Sequence, residues 1–241
     1  MIPKVIHYCW FGGKELPLDV KKCIKSWERF CPDYEIKRWD ESNFDVMEHP
    51  FLKAAYEAKA WAFVSDYARL KIVYENGGIY LDTDVELLKN LDFLLNNSCY
   101  IGIQQPELLC TTGLGFGAEK LNPVVCKMLQ KYDSIIFGEQ EKIKIACPWL
   151  NNEVIKSIGS VDTNNITYLR GVTVYPPRYF DPLSTGNTAN LLCADSISIH
   201  HYAASWGSSR QRWKRKVARF LGVKNVQRLK GLSTKLSGWS R

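Results

Sequence analysis

Ser65-Asp66-Tyr67-Ala68-Arg69-Leu70-Lys71-Ile72-Val73-Tyr74-Glu75-Asn76-Gly77-Gly78-Ile79-Tyr80-Leu81-Asp82-Thr83-Asp84 reads as a helix, a glycine turn, a strand and a carboxylate pair. Ala60, Phe63, Val64, Tyr67, Leu70, Val73 and Tyr74 recur at helical spacing. Asn76-Gly77-Gly78 ends that helix, because glycine tolerates the left-handed backbone of a C-terminal cap. Ile79-Tyr80-Leu81 is a short apolar run suited to a buried strand. Asp82 and Asp84 follow at its C-terminal end, where open α/β sheets bind ligands. Carboxylates at i and i+2 of an extended chain point to one side. Such oxygen donors suit a hard divalent cation, Mn²⁺ or Mg²⁺. Asp66 and Arg69, at i and i+3, share a helix face that packing against the strand would bring to the same pocket. Taken singly these features are weak: solvated turn carboxylates are common, and an Asp–Arg pair on a helix is most often a surface ion pair.

Together they are more specific. Ser65, Asp66, Arg69, Tyr74, Gly77, Gly78, Ile79, Tyr80, Asp82 and Asp84 resemble the signature of sugar transferases carrying a DXD motif. That group includes bacterial capsular polysaccharide transferases and the yeast initiating mannosyltransferase, and is related to the clostridial glucosylating toxins. The resemblance covers most of residues 1–206. It implies a GT-A fold, a Rossmann-like α/β sandwich with a mixed central sheet. It also implies transfer of a sugar from a nucleotide-sugar donor to a glycan or lipid-linked oligosaccharide acceptor, with retention at the anomeric carbon. On this resemblance Asp66 and Arg69 hold donor sugar hydroxyls. Asp84 ligates the metal, and Asp82 binds the metal, the ribose or both.

At 241 residues, with 46% hydrophobic and 24% charged residues, the chain has an ordinary globular composition and room for one sizeable core. No basic segment followed by a long apolar run opens the sequence, and no window approaches the roughly 18 apolar residues of a spanning helix. The expectation is therefore a cytoplasmic protein. None of the eight cysteines forms a C-x-x-C pair, which argues against a zinc ribbon or a thioredoxin-like site and for free thiols in a reducing compartment.

Charge is unevenly placed. Eleven of the 32 basic residues lie after Ser205 with no acidic residue among them, so the net +7 leaves −4 on residues 1–205. The division expected is a transferase domain over 1–206 and a basic tail over 207–241. Trp213, Val217, Phe220 and Leu221 make an apolar stripe amid Arg and Lys, a pattern suited to an anionic membrane surface. The alternative is a solvated or docked surface helix. No nucleic-acid motif accompanies the charge.

Lys4–Tyr8 reads as a first strand, followed by Trp10-Phe11-Gly12-Gly13. From the residues alone Trp10 is more simply a core aromatic. Ile6–Gly13, however, looks like the toxins' uracil-binding strand, which makes Trp10 the base-stacking candidate, with Tyr8 beside it, and favours UDP. Pro17–Phe30 reads as a helix, Tyr34–Trp39 as a strand, and about Leu52–Tyr74 as one long helical stretch after His49-Pro50-Phe51. Thr112–Ala118 is glycine-rich without the spacing of a phosphate-binding loop, either close-packed or substrate-lining. Cys147-Pro148 opens a later helix where relatives are expected to carry Gly-Pro, so no acceptor role is assigned there. Pro176–Pro182 reads as a proline-rich loop.

Ser196–Trp206 is the second informative stretch, a strand ending in His200-His201. Imidazole completes a site begun by carboxylates, and adjacent strand residues face opposite ways, so one of the two binds. The segment resembles the late metal-ligand segment of the superfamily, with His201 favoured and His200 the alternate. Ser205 and Trp206 match a Ser-Trp pair that closes over the donor diphosphate in similar enzymes. No second carboxylate stands out as a nucleophile for double displacement, so front-face substitution is expected. The setting implied is capsular polysaccharide or O-antigen assembly on the inner face of the plasma membrane. A metal-dependent phosphohydrolase and a non-catalytic nucleotide- or carbohydrate-binding module are the rivals.

Overall fold

In a computed structural model, residues 1–138, 141–184 and 188–203 are described below. The chain runs β1 (Val5–Cys9), α1 (Leu18–Phe30), β2 (Glu35–Trp39), α2 (Pro50–Glu57), α3 (Trp61–Asn76), β3 (Gly78–Tyr80) and β4 (Val85–Leu87). It continues β5 (Cys99–Ile103), β6 (Cys110–Ala118), α4 (Pro123–Gln130), α5 (Cys147–Ile158), β7 (Thr167–Leu169), β8 (Val172–Tyr175), α6 (Pro177–Phe180) and β9 (Ser198–His200). Seven strands form one mixed sheet in the order β2-β1-β3-β6-β5-β8-β7, and β4 pairs with β9 in a separate ribbon.

The expected α/β sandwich with a mixed central sheet is what is found. β1 lies parallel to both β2 and β3, and β6 runs antiparallel to β3. The chain leaves β1 for β2 by way of α1, then returns across β1 to β3 by way of α2 and α3. That reversal opens a crevice beyond the C-terminal ends of β1 and β3, where Trp10 and Asp82 begin. Apolar side chains of α2, α3, α4 and α5 fill one face of the sheet, and those of α1, β4 and α6 fill the other.

The stretch read as one helix over 52–74 is two. His49 caps α2 by accepting from the Phe51 N–H, Pro50 takes the first turn, and the chain breaks at Lys59, which adopts φ 53°. The proline-rich segment holds the single-turn α6. α3 is buried nearly all round, so even Asp66 and Arg69 lie inside rather than on a solvated face. Gly78, at φ +104°, must be glycine: a Cβ there would sit 2.7 Å from His7 Nε2 and 2.9 Å from the Val5 carbonyl oxygen. All eight cysteines are free thiols, six of them buried. Among the described residues no helix is long and apolar enough to cross a membrane. Ser205, Trp206 and the basic tail lie outside the described residues.

Beneath the crevice, His7 is 1% exposed. Its Nε2 donates to the Gly77 carbonyl at 2.9 Å, and its Nδ1 accepts from Trp39 Nε1–H at 3.1 Å. A proton on Nδ1 would face the indole N–H. Burial lowers this imidazole from its ordinary 6.5 to about 4, against the raising effect of the Gly77 carbonyl. Neutral His7 therefore contributes stability above pH 6.5 that is lost as pH falls towards 4, by about 3 kcal/mol. Denaturant titrations of wild type and His7→Gln at pH 7 and pH 4 test this. The pH-dependent loss is expected to be smaller in the variant by that amount, and equal losses would refute it.

Candidate active site

Arg69 organises the crevice. Its Nη2 lies 3.1 Å from Asp66 Oδ1 and 3.2 Å from Asp82 Oδ1, so one guanidinium links the helix carboxylate to the post-strand carboxylate. Its Nε donates to the Ser65 carbonyl at 3.0 Å, and its carbon lies 5.0 Å from the centroid of the Tyr80 ring. Asp66 also accepts from the Cys147 backbone N–H at 3.3 Å, at the N-terminus of α5, where a carboxylate is favoured by the helix dipole. Tyr80 donates its phenolic O–H to Asp82 at 3.1 Å. Gly113 of β6 closes over the pair: a Cβ there would come within 3.1 Å of Asp82 Oδ2 and 3.2 Å of Arg69 Nη1. The glycine-rich strand is thus both close-packed and pocket-lining.

The second half comes from the β4–β9 ribbon. α1 fixes β4, since Trp27 Nε1–H donates to the Val85 carbonyl and Ser26 Oγ accepts from the Leu87 N–H. β9 pairs antiparallel with β4, Val85 opposite His200. That register delivers His200 Nε2 to 3.1 Å from Asp84 Oδ1, while Asp84 Oδ2 accepts from the Ala203 N–H at 2.7 Å. Burial pushes the Asp82 carboxyl above the usual carboxylate range, opposed by Arg69 and reinforced by the nearby Asp84 charge. Burial acts the same way on Asp84, but there His200 and the Ala203 N–H prevail and hold it low. Burial works against the charged His200 imidazole, yet the Asp84 carboxylate raises it.

One donor atom from each of Asp82, Asp84 and His200 lies within 4.8 Å of the others. His200 Nδ1 is buried and has no hydrogen-bond partner among the described residues. Two carboxylate oxygens and an imidazole fit a divalent ion of the Mn²⁺ or Mg²⁺ kind. The histidine brought into this group is the alternate, His200. His201 points to the other side of the strand, where its Nε2 meets Glu86 Oε2 at 2.8 Å.

These groups share a pocket of about 310 Å³. Trp10 lines it, with its indole N–H donated to the Lys14 carbonyl at 2.6 Å. Tyr8 does not reach it; its ring packs edge-on against Trp27 in the α1-side core. The pocket also takes residues that the sequence reading did not single out, among them Lys14, Trp61, Gln104, Thr111 and Tyr202. Trp61 packs over Gly12, where a Cβ at φ +92° would meet its indole at 3.0 Å, a closeness that only the folded chain displays. Gln104 and Tyr202 carried no pattern of their own.

Residues 17–101 match the family model described as the glycosyltransferase sugar-binding region containing the DXD motif. The lactosylceramide 4-alpha-galactosyltransferase of Pongo pygmaeus is 34% identical over 173 residues, 70% of this chain and 67% of that protein. The chain belongs to the DXD-motif glycosyltransferases. The chain is also 31% identical to inositol phosphoceramide mannosyltransferase 3 of Schizosaccharomyces pombe, over 57% of the chain but only 39% of the longer mannosyltransferase. An uncharacterized glycosyltransferase of Acanthamoeba polyphaga mimivirus aligns over 86% of the chain and 84% of its own length at 25% identity. Among solved structures, the PaToxG glycosyltransferase superposes with a TM-score of 0.55 at 20% identity, over 65% of this chain and 69% of that one, a likeness of fold. The fold is therefore of GT-A type.

Proposed function

We propose that this glycosyltransferase moves a hexose from a UDP-sugar to a glycan or lipid-linked oligosaccharide, with a divalent ion and with retention of configuration. The observation that carries the reading is the continuous chain Asp66–Arg69–Asp82, set beside Asp82, Asp84 and His200 in one pocket. Asp82, Asp84 and His200 would hold Mn²⁺, which when bound supplies positive charge against the diphosphate leaving group.

The protein's own groups do the rest. Trp10 spends its indole N–H on Lys14, so it offers the donor a ring face for stacking on the base rather than a hydrogen bond. Asp66 and Arg69 hold each other rigid, which orients their remaining hydrogen-bonding capacity towards sugar hydroxyls. Among the described residues, the carboxylates lining the pocket are Asp66, Asp82 and Asp84. Asp66 is engaged by Arg69 and by the Cys147 N–H, and the other two belong to the metal group. That leaves no free nucleophile for double displacement and supports front-face substitution.

The names of two relatives, an inositol phosphoceramide mannosyltransferase and a lactosylceramide galactosyltransferase, support a lipid-linked acceptor. The basic residues over 207–241 would then favour anionic lipid on the cytoplasmic side, in surface polysaccharide assembly.

Nucleotide release from a panel of UDP-, GDP- and dTDP-sugars, with Mn²⁺ and with a chelator, tests the reading. Metal-dependent release from one UDP-sugar is expected. Failure of the protein to bind any of the nucleotides would overturn it and favour a different ligand.

A further inference from the structure

Asp181 is a fully buried carboxylate with no lysine or arginine bound to it among the described residues, and burial pushes its carboxyl up. Its Oδ2 accepts from the Tyr202 O–H at 2.7 Å and from the Gln105 backbone N–H at 2.8 Å. The Gln105 side chain donates back to the Asp181 carbonyl at 2.8 Å, so the 104–105 segment is held twice. Tyr202 and Gln104 both line the pocket.

Tyr202 sits between this carboxylate and the metal group. Its ring centroid lies 4.1 Å from that of His200. Its backbone is left-handed, φ 47°, a conformation that a bulky aromatic residue adopts only when something holds it. The turn at Tyr202 has a consequence on each side: His200 keeps its imidazole against Asp84, and the Ala203 N–H reaches back to Asp84 Oδ2. The Tyr202 hydroxyl is tied to Asp181, with Ser184 beside the same pair.

We infer that Asp181 and Tyr202 are positioning residues for the divalent-ion group, Asp181 fixing the Tyr202 turn and that turn fixing both His200 and Asp84. The inference rests on the reading of Asp82, Asp84 and His200 as metal ligands. Groups that orient metal ligands typically change metal affinity by about 10–100-fold when removed. Tyr202→Phe keeps the ring against His200 and deletes the hydroxyl alone, and its comparison with Asp181→Asn assigns the effect to the tie between the two.

The test is Mn²⁺ binding to the full chain without any sugar nucleotide, read from the free-ion electron paramagnetic resonance signal. Wild type, Tyr202→Phe, Asp181→Asn, the Tyr202→Phe/Asp181→Asn double variant and Asp84→Ala are compared, each first shown folded by circular dichroism. Tyr202→Phe is expected to weaken Mn²⁺ binding about tenfold. The Tyr202→Phe/Asp181→Asn double variant is expected to lose little more than either single one, because both break the same link. Tyr202→Phe binding Mn²⁺ as tightly as wild type, with Asp84→Ala impaired, would overturn the positioning role and leave the metal site standing. Asp84→Ala binding as tightly as wild type would overturn both.

Discussion

Asp84→Asn is expected to lower metal-dependent nucleotide release by about 10²–10³-fold, because it takes a charged donor from the group that would hold the ion, and with the ion goes the positive charge set against the leaving diphosphate. The substitution keeps the size of the side chain and leaves one oxygen to accept from the Ala203 N–H, which now lies 2.7 Å from Oδ2. What it removes is the negative charge. Asp84 is held ionised by His200 at 3.1 Å, whereas burial and the Asp84 charge push Asp82 towards its neutral form. Of the two post-strand carboxylates, Asp84 is thus the dependable anion, and its loss cannot be made good by its neighbour. The fold should survive, because the β4–β9 pairing from Val85 to Leu87 and the anchoring of β4 by Trp27 and Ser26 do not use this carboxylate. Release assays across a Mn²⁺ series, with thermal melts alongside, decide the matter. Full metal-dependent turnover in a folded Asp84→Asn protein would sink the assignment.

Much of this arrangement is written locally. The helical spacing before Tyr74, the Gly77-Gly78 turn and the apolar Ile79–Leu81 run all act within a few residues, so their structure can be read from the chain alone. The i, i+3 and i, i+2 spacings likewise place Asp66 with Arg69 and Asp82 with Asp84. What the chain does not display is decided by pairing across distance. Whether His200 or His201 faces the carboxylates depends on the register of β9 against β4, and a shift of one residue would exchange them. The burial of Asp66 and Arg69 depends on β6 and the start of α5 closing over α3, with Gly113 and the Cys147 N–H as the contacts. The break at Lys59 is invisible to periodicity because apolar residues continue on both sides of it. Tyr8 alternates with Cys9 along β1, and the sheet's two faces assign it to the α1-side core.

Arg69→Met should be the most destabilising single change in the pocket. Arg69 is 3% exposed and touches Asp66 and Asp82 within 3.2 Å, so its removal strands the buried Asp66 and the half-buried Asp82 without that cation. Burial already raises both carboxyls against the opposing Arg69 charge, and without that charge the opposition is gone. Breaking a buried pair by deleting one partner costs about 3–5 kcal/mol. A domain's whole stability is about 5–15 kcal/mol, so the variant should melt roughly 10 °C lower. Arg69→Lys restores the charge but not the planar fork, and a single ammonium cannot reproduce the contacts to Asp66, Asp82 and the Ser65 carbonyl together. It should recover much of the stability and little of the turnover. Adding Asp66→Asn to Arg69→Met should recover stability as well, since it removes one of the stranded charges, making the pair of changes cost less than their sum. Melting curves of wild type, Asp66→Asn, Arg69→Met and the double variant measure that coupling directly. Strict additivity, or an Arg69→Met protein as stable as wild type, would mean that this guanidinium does not hold the carboxylates together.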